Sequence, residues 1–330
     1  MRFLVTGGAG FIGSNYVRAL LCGAYPGFED ARVTVLDKLT YAGRLENLSA
    51  VAGHPDLTFV RGDIADGDLL RRLVPGHDFI VNFAAETHVD RSIGAAADFV
   101  GTNVLGTQRL LEAAVKSGIQ TFVQISTDEV YGSIDEGSWV ETDPLLPNSP
   151  YSASKAGADL LCRAYHRTYG LDVRVTRCSN NYGPRQFPEK IIPLFVTNLL
   201  DGRGIPLYGD GRNVREWLHV ADHCRGIQLV LQKGSPGETY NIGGGVELTN
   251  ADLARRLLAA HGVGWEMVEY VPDRPGHDLR YSVDTTKIRG LGYRPEVDFD
   301  EGLAEVVRWY ADNEAWWRPL TSRDARDQIS

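Results

Sequence analysis

Short apolar runs alternate with longer stretches of helical period from the first residues onward. Arg2–Thr6, Val33–Leu36, Thr58–Val60, Phe79–Phe83, Thr121–Ile125 and Val173–Thr176 are rich in β-branched and aromatic residues, and predict strands. Their apolar character is nearly unbroken, as in strands covered on both faces. Between them, apolar residues recur at helical spacing from Phe11, over Phe99–Lys116 and over Ala153–Tyr169. Strands alternating with helices predict right-handed crossovers and a parallel sheet, an α/β fold of the Rossmann-type, doubly wound class.

The rhythm changes after Cys178, where SNNYGPRQFP gathers turn formers. Val214–Leu218 predicts a strand, and Ala221–Leu231 a helix that returns to the main sheet. Thr249–His261 and Glu301–Ala311 predict amphipathic helices of a smaller C-terminal α/β region. This divides the chain into a dinucleotide-binding domain, residues 1–180 with 214–246, and a substrate domain, residues 181–213 with 247–330. The two interleave and share a cleft. CGAYPGFEDARV makes a generous loop before the second strand, and the final SRDARDQIS is polar and expected to fray.

A formal net charge of −9, with no cluster of basic residues, argues against nucleic acid as a partner. No stretch is long and apolar enough to cross a membrane, and the first residues carry no leader pattern, so a cytoplasmic location is expected. Cys22, Cys162, Cys178 and Cys224 match no zinc spacing and read as reduced core thiols. His219 and His223 stand four apart, but Val220 replaces the glutamate a metal helix would need; the segment reads as a strand-to-helix junction, and no metal is expected.

Gly7, Gly10 and Gly13 follow the first strand and open the first helix in the pattern G-x-x-G-x-x-G. Gly7 permits the turn, Gly10 lets a pyrophosphate approach the backbone at the helix N-terminus, and Gly13 lets the helix pack closely. Asp37 ends the second strand, where a carboxylate accepts hydrogen bonds from ribose hydroxyls and repels a 2′-phosphate. That favours NAD over NADP, although Lys38 and Arg44 lie nearby. Asp63, after the third strand, is placed to meet the adenine.

Tyr151 and Lys155 are four residues apart on a predicted helix, hence on one face. An ammonium beside the phenol favours phenolate, giving a base for a sugar hydroxyl, and can also hold the nicotinamide ribose. Ser126-Thr127 follows the fifth strand, and Asp128-Glu129 comes directly after it.

With these motifs on the page, TGGAGFIG, NFAAETHVDRS, STDEVYG, PYSASKAGAD, NNYGPRQFPEK, WLHVADH, YNIGGG and RPGHDLRY closely resemble the extended short-chain dehydrogenase/reductases that act as nucleotide-sugar epimerases and dehydratases. The resemblance implies a dehydratase acting on dTDP-glucose with tightly bound NAD that is regenerated each turnover. It makes Thr127 a support for the reacting hydroxyl, Tyr151 its base, Glu129 the base at C5 and Asp128 the acid at the C6 hydroxyl. It adds Phe11, Ile12, Thr40, Ile64, Ala84, Ala85, Thr87, Asn103 and Asn181 to the cofactor site, with Thr87 and His88 facing nicotinamide and hexose. For the nucleotide end it implies Asn180 near the phosphates or sugar, Lys190 near thymine, Pro206 and Tyr208 flanking the base, and Arg215 and Arg274 clamping the pyrophosphate. Asn250, His277 and Tyr281 are further contacts.

The resemblance also implies a homodimer built on the helices near Phe99–Lys116 and Ala153–Tyr169, whose apolar stripes hold Val104, Leu110, Leu111, Val115, Leu160, Leu161 and Tyr165. The alternatives are a sister reaction (UDP-sugar decarboxylation, GDP-mannose dehydration or 4-epimerisation) and a non-catalytic NAD-binding scaffold. Asp128-Glu129 argues against the epimerase, which has no use for an added acid pair.

Overall fold

The structure, a computed structural model, describes residues 1–321; the SRDARDQIS tail lies outside the described residues. The strands are β1 (Arg2–Thr6), β2 (Arg32–Asp37), β3 (Leu57–Arg61), β4 (Phe79–Asn82), β5 (Thr121–Thr127), β6 (Val173–Cys178), β7 (Asn180–Tyr182), β8 (Ile205–Tyr208), β9 (Val214–His219), β10 (Thr239–Ile242), β11 (Val246–Thr249) and β12 (Val268–Val271). The helices are α1 (Phe11–Leu21), α2 (Gly67–Leu73), α3 (Val89–Gly94), α4 (Ala96–Phe99), α5 (Thr107–Ser117), α6 (Pro150–Tyr169), α7 (Ile191–Leu200), α8 (Val220–Lys233), α9 (Asn250–Ala260), α10 (Thr286–Gly290), α11 (Phe299–Asp312) and α12 (Glu314–Thr321).

Seven strands form one sheet in the order β10-β6-β5-β4-β1-β2-β3. Every pairing in it is parallel. Strand alternation sorts the side chains. Phe3, Val5, Val33 and Val35 enter a core shared with α1 and α8, while Leu4, Leu36, Ile80 and Phe122 enter the opposite core under α2, α5 and α6. The order reverses between β1 and β4, so the loops after those strands splay apart and leave a crevice at the carboxyl edge. A buried polar row crosses that point: Thr6 donates to Asn82 at 2.5 Å, and Asn82 donates to Gln124 at 2.7 Å.

Two departures from the sequence reading matter for the site. Helix α6 begins at Pro150 rather than Ala153, because Ser149 and Ser152 form a reciprocal capping box with proline in the first turn. Tyr151 therefore stands in the first helical turn, with Lys155 one turn on. The expected helix Phe99–Lys116 is interrupted by a π-helical turn, Val100–Gly106, between α4 and α5.

The returning segment also divides. Helix α8 and strand β10 rejoin the main sheet as expected, but β9 pairs with β7 and β11 in a separate three-stranded sheet. Trp217 of β9 belongs to the C-terminal core with Tyr182, Phe195, Leu257, Val306 and Trp317. His219 ends β9 and caps α8, its ring accepting from the Ala221 N–H. Cys22 departs from the expectation of a core thiol: it follows the last turn of α1 and is exposed, whereas the other three cysteines are buried.

The C-terminal helices reach back to the segment after β7 and to the cofactor half. Tyr310 of α11 donates to the Gln186 carbonyl, Trp316 of α12 donates to Asn47 at 3.2 Å, and the Arg44 guanidinium lies over the Trp316 ring. Trp317 is fully buried and donates to the Tyr310 carbonyl at 2.7 Å, locking α12 to α11. Trp317→Ala is expected to cost about 3–5 kcal/mol through the cavity it leaves, seen as a lowered thermal unfolding midpoint. A midpoint within a degree or so of the parent's, at about 1 kcal/mol or less, would contradict this packing.

Candidate active site

A single elongated cavity of about 1570 Å³, open side included, runs along the carboxyl edge of the sheet. Its floor is the glycine turn between β1 and α1. Gly7 has φ +67°, and a Cβ there would stand 2.6 Å from the Ala84 nitrogen. At Gly13 a Cβ would stand 2.4 Å from the Gly7 carbonyl oxygen, so the third glycine protects the turn itself. Gly10, Phe11 and Ile12 line the cavity where α1 begins, with its free N–H groups turned to a ligand's phosphates. A dinucleotide fits this cradle.

At one end lie Asp37, Lys38, Thr40, Asp63 and Ile64. Asp37 accepts from the N–H groups of Ala9 at 2.9 Å and Leu39 at 2.8 Å, while burial pushes its pKa up. The two cations that complicated the choice of NAD over NADP are already engaged. Lys38 sits 2.8 Å from Asp63, and Arg44 pairs with Glu46 at 3.3 Å besides its contact with Trp316.

At the other end Thr127, Asp128, Glu129, Tyr151 and Lys155 line the same cavity, with Ala84, Ala85, Thr87, Asn180, Asn181 and Lys190 around them. Strand β5 ends at Thr127, and the next four residues, Asp128–Tyr131, form a single 3-10 turn. Thr127 caps that turn by accepting from the Glu129 N–H at 3.3 Å, and its hydroxyl lies 3.2 Å from Asp128 Oδ1. Below the turn Tyr131 is pinned by Arg177 at 2.8 Å, and Arg177 in turn by Asp159 of α6 at 2.9 Å. The acid turn and the Tyr/Lys helix are thus held by one buried network.

The two carboxyls are not equivalent. Burial holds the Asp128 pKa well above the usual range, and the neighbouring Glu129 and Glu216 add to the effect. Burial raises Glu129 too, but Arg274, Lys190 and Arg215 pull it back. Lys155 is buried and donates to the Ile125 carbonyl at 2.6 Å, and burial lowers its pKa. The expected lowering of the Tyr151 pKa is corrected. Burial and the nearby Glu129, Cys178 and Asp128 hold the phenol well above its ordinary value, and the protein's own groups leave it protonated.

Other expected residues lie outside the cavity lining. Asn103 is one: the π turn carries its amide to the Glu86 backbone at 2.9 and 3.1 Å and to Ser154 at 2.8 Å, tying the 86–87 loop to α6. His88 caps α3 by accepting from the Arg91 N–H at 3.3 Å. Lys190 is in the cavity, donates to the Thr87 carbonyl at 2.9 Å, and its charge acts on Glu129.

Pro206, Tyr208, Arg215, Asn250, Arg274, His277 and Tyr281 form a second region contributed by the C-terminal part. Arg215 stacks on Tyr281 at 4.4 Å, whose hydroxyl donates to Asp278 at 2.5 Å. Arg274 and Tyr208 both reach Asp90 at 3.4 Å, and Tyr208 meets the His277 ring edge-on at 6.1 Å. Pro206 precedes Tyr208 by two on β8, and buried Asn250 opens α9. The charges of Arg215 and Arg274 both act on Glu129, so this region adjoins the catalytic end.

Sequence reasoning passed over Glu86, Gln186, Phe187 and Glu189, which also line the cavity. The last three fall inside the quoted NNYGPRQFPEK, where the signal was present but unassigned. His223, dismissed as a metal ligand, bonds Asn181 at 2.8 Å and steadies a cavity residue. Among the described residues no group of three or more His, Cys, Asp and Glu could hold a metal ion.

An acid whose pKa is raised on folding favours the fold only while protonated, so its contribution is present at acid pH and lost as pH climbs. Asp128→Asn removes that dependence. The variant's thermal midpoint is expected to rise relative to the parent's between about pH 4 and pH 8. A midpoint difference that stays flat with pH would show that Asp128 is not held protonated.

Comparison with known proteins places this geometry. The pattern of the family described as GDP-mannose 4,6 dehydratase matches residues 4–306. The dTDP-glucose 4,6-dehydratase of Streptomyces niveus is 63% identical over 98% of this chain and 97% of its own length. The low-salt glycan biosynthesis protein Agl12 of Haloferax volcanii is 54% identical over 94% of this chain and 98% of its own. The crystal structure of a DesIV double mutant, a dTDP-glucose 4,6-dehydratase from Streptomyces venezuelae with NAD bound, superimposes with a TM-score of 0.96 at 64% identity, covering 97% of this chain and 100% of that one. A UDP-glucose 4-epimerase from Thermotoga maritima shares the fold at a TM-score of 0.87 and 33% identity, over 95% and 100%. Matched from its first strand to its penultimate helix, the chain belongs to the GDP-mannose 4,6 dehydratase family, the nucleotide-sugar group of extended short-chain dehydrogenase/reductases that its motifs resemble.

Proposed function

We infer that the chain is a NAD-dependent lyase that converts dTDP-glucose to dTDP-4-keto-6-deoxyglucose and water, a step of deoxysugar biosynthesis. The observation that carries this reading is Asp128-Glu129 in the same cavity as Tyr151, an acid pair beside the hydroxyl base. Oxidation at C4 and its reversal need only a hydroxyl base. Loss of water across C5 and C6 needs a base and an acid on adjacent carbons as well.

NAD, when bound, supplies the acceptor for the C4 hydride, its donor back to C6, and a positive ring that favours the Tyr151 phenolate. The residues to hold it are Gly7, Gly10, Phe11, Ile12, Gly13, Asp37, Lys38, Thr40, Asp63, Ile64, Ala84, Ala85, Thr87, Lys155 and Asn181. Tyr151 takes the O4 proton while Thr127 holds that hydroxyl. The C4 ketone acidifies C5–H, which Glu129 removes. Asp128, kept protonated by burial and by its acidic neighbours, gives its proton to the departing C6 hydroxyl, so that water leaves; Glu129 then returns its proton to C5, and the proton taken by Tyr151 makes good the one Asp128 gave up. Arg215 and Arg274 fit the substrate pyrophosphate, and Tyr208 with Pro206 fits the base.

The domain division follows, with residues 1–180 and 214–246 assigned to cofactor and the rest to substrate, save that β9 goes with the substrate part by its pairing. A homodimer is supported by the outer faces of the α4–α5 stretch and α6, although of the expected stripe only Leu160 is among the exposed large apolar side chains. Leu110 and Leu111 are core, whereas Val100, Leu105, Leu160 and Tyr169 are exposed. No helix among the described residues is long and apolar enough to cross a membrane, and unpaired thiols suit a cytoplasmic location.

Purified protein given dTDP-glucose without added NAD is expected to yield a sugar lighter by one water, with the absorbance of a keto sugar. No product, even with added NAD, would overturn the assignment. Glu129→Gln is expected to lower dehydration by about 10²–10⁴-fold while still producing NADH absorbance in a single turnover. Tyr151→Phe is expected to lose that absorbance too. Normal turnover by Glu129→Gln would remove Glu129 from the elimination.

A further inference from the structure

We propose that Tyr41 is the centre of a clasp that closes the cavity over the cofactor and sets how long NAD is retained. The proposal rests on the reading that this cavity holds NAD through turnover. The cavity has two walls. One is made by loops after β1, β2, β3 and β4; the other is the segment from β6 to the start of α7. Tyr41 belongs to the first wall, between the lining residues Thr40 and Ala42, yet its contacts lie on the second. Its hydroxyl donates to Glu189 Oε1 at 2.9 Å, and its ring meets Phe187 edge-on at 5.3 Å. Both Glu189 and Phe187 line the cavity.

One face of the same ring is covered by the Arg91 guanidinium, 3.7 Å from its centroid. Arg91 lies on α3, whose start is capped by His88, and the far nitrogen of His88 lies 3.8 Å from Glu189 Oε2. One tyrosine is thus gripped by two separate segments, 187–189 and α3, and Lys190 adds a further tie between the walls by donating to the Thr87 carbonyl at 2.9 Å. A dinucleotide reaching from Asp37 to Tyr151 passes between these walls. It cannot leave sideways while they are joined. Half-buried Tyr41 touches none of the catalytic groups, so retention and chemistry are separable here.

The test uses the full-length protein as purified, measuring bound NAD per chain and the rate at which it exchanges for a fluorescent etheno-NAD. Tyr41→Ala is expected to speed exchange by about tenfold or more, the effect of roughly one lost contact of this kind. Tyr41→Phe keeps the ring contacts and should fall between it and the parent. The first hydride transfer, followed by NADH absorbance in protein saturated with NAD, should stay within about twofold of the parent's. If Tyr41→Ala is poorly folded by its thermal midpoint, Arg91→Met, which removes only the covering guanidinium, takes its place with the same expectation. Parent-like exchange in the folded variants would overturn the clasp while leaving the retained cofactor intact. A parent protein that carries no NAD after purification, and exchanges it as fast as the variants, would overturn both.

Discussion

A carboxyl group cut off from water keeps its proton, and a second carboxyl in the same turn strengthens that hold. The architecture around Asp128 and Glu129 follows from this constraint. A turn bearing two acids, sunk at the end of a fully buried strand, is tolerable only if one stays neutral and the other meets positive charge. The cations come from far along the chain: Lys190, Arg215 and Arg274 all belong to the segments that leave and re-enter the cofactor half. The chain is interleaved because its acids and their counter-charges are made by different halves. A substrate pyrophosphate drawing on the same arginines would weaken their hold on Glu129, making it more basic when substrate is in place.

The same economy shapes the cofactor end. Burial makes Asp37 costly to ionise, and two backbone N–H groups offset that cost before any ribose arrives. Lys38 and Arg44 sit close enough to confuse the choice of dinucleotide, yet each has its own acid.

Much of this was legible in the sequence. The six strands before Cys178 announce themselves by unbroken apolar runs, and the glycine turn and the Tyr151/Lys155 spacing name their own chemistry. What escaped reading was conformation set by side chains that imitate turn formers. Ser149, Pro150 and Ser152 look like loop until their reciprocal cap is seen, and nothing in VGTNVLG announces a π turn. The wider turn points the Asn103 amide at the 86–87 loop, a contact that its spacing does not announce. Strand β9 looked like part of the main sheet because its composition is that of any buried strand; only pairing tells the sheets apart. The phenol of Tyr151 was misjudged because a lysine at the right spacing says nothing about the carboxylates that a distant strand end places beside it.

The row Thr6–Asn82–Gln124 has a bearing on how the sheet assembles. These three side chains occupy one rung of adjacent strands, and each depends on the next for its hydrogen bonds. Parallel strands of nearly uniform valine, leucine and phenylalanine have little to distinguish one alignment from its neighbour. Sliding any of the three by a single residue would turn an amide or hydroxyl into hydrocarbon on the opposite face. The polar rung therefore acts as a key cut into an otherwise blank lock: it favours one alignment of the strands that flank the point where their order reverses.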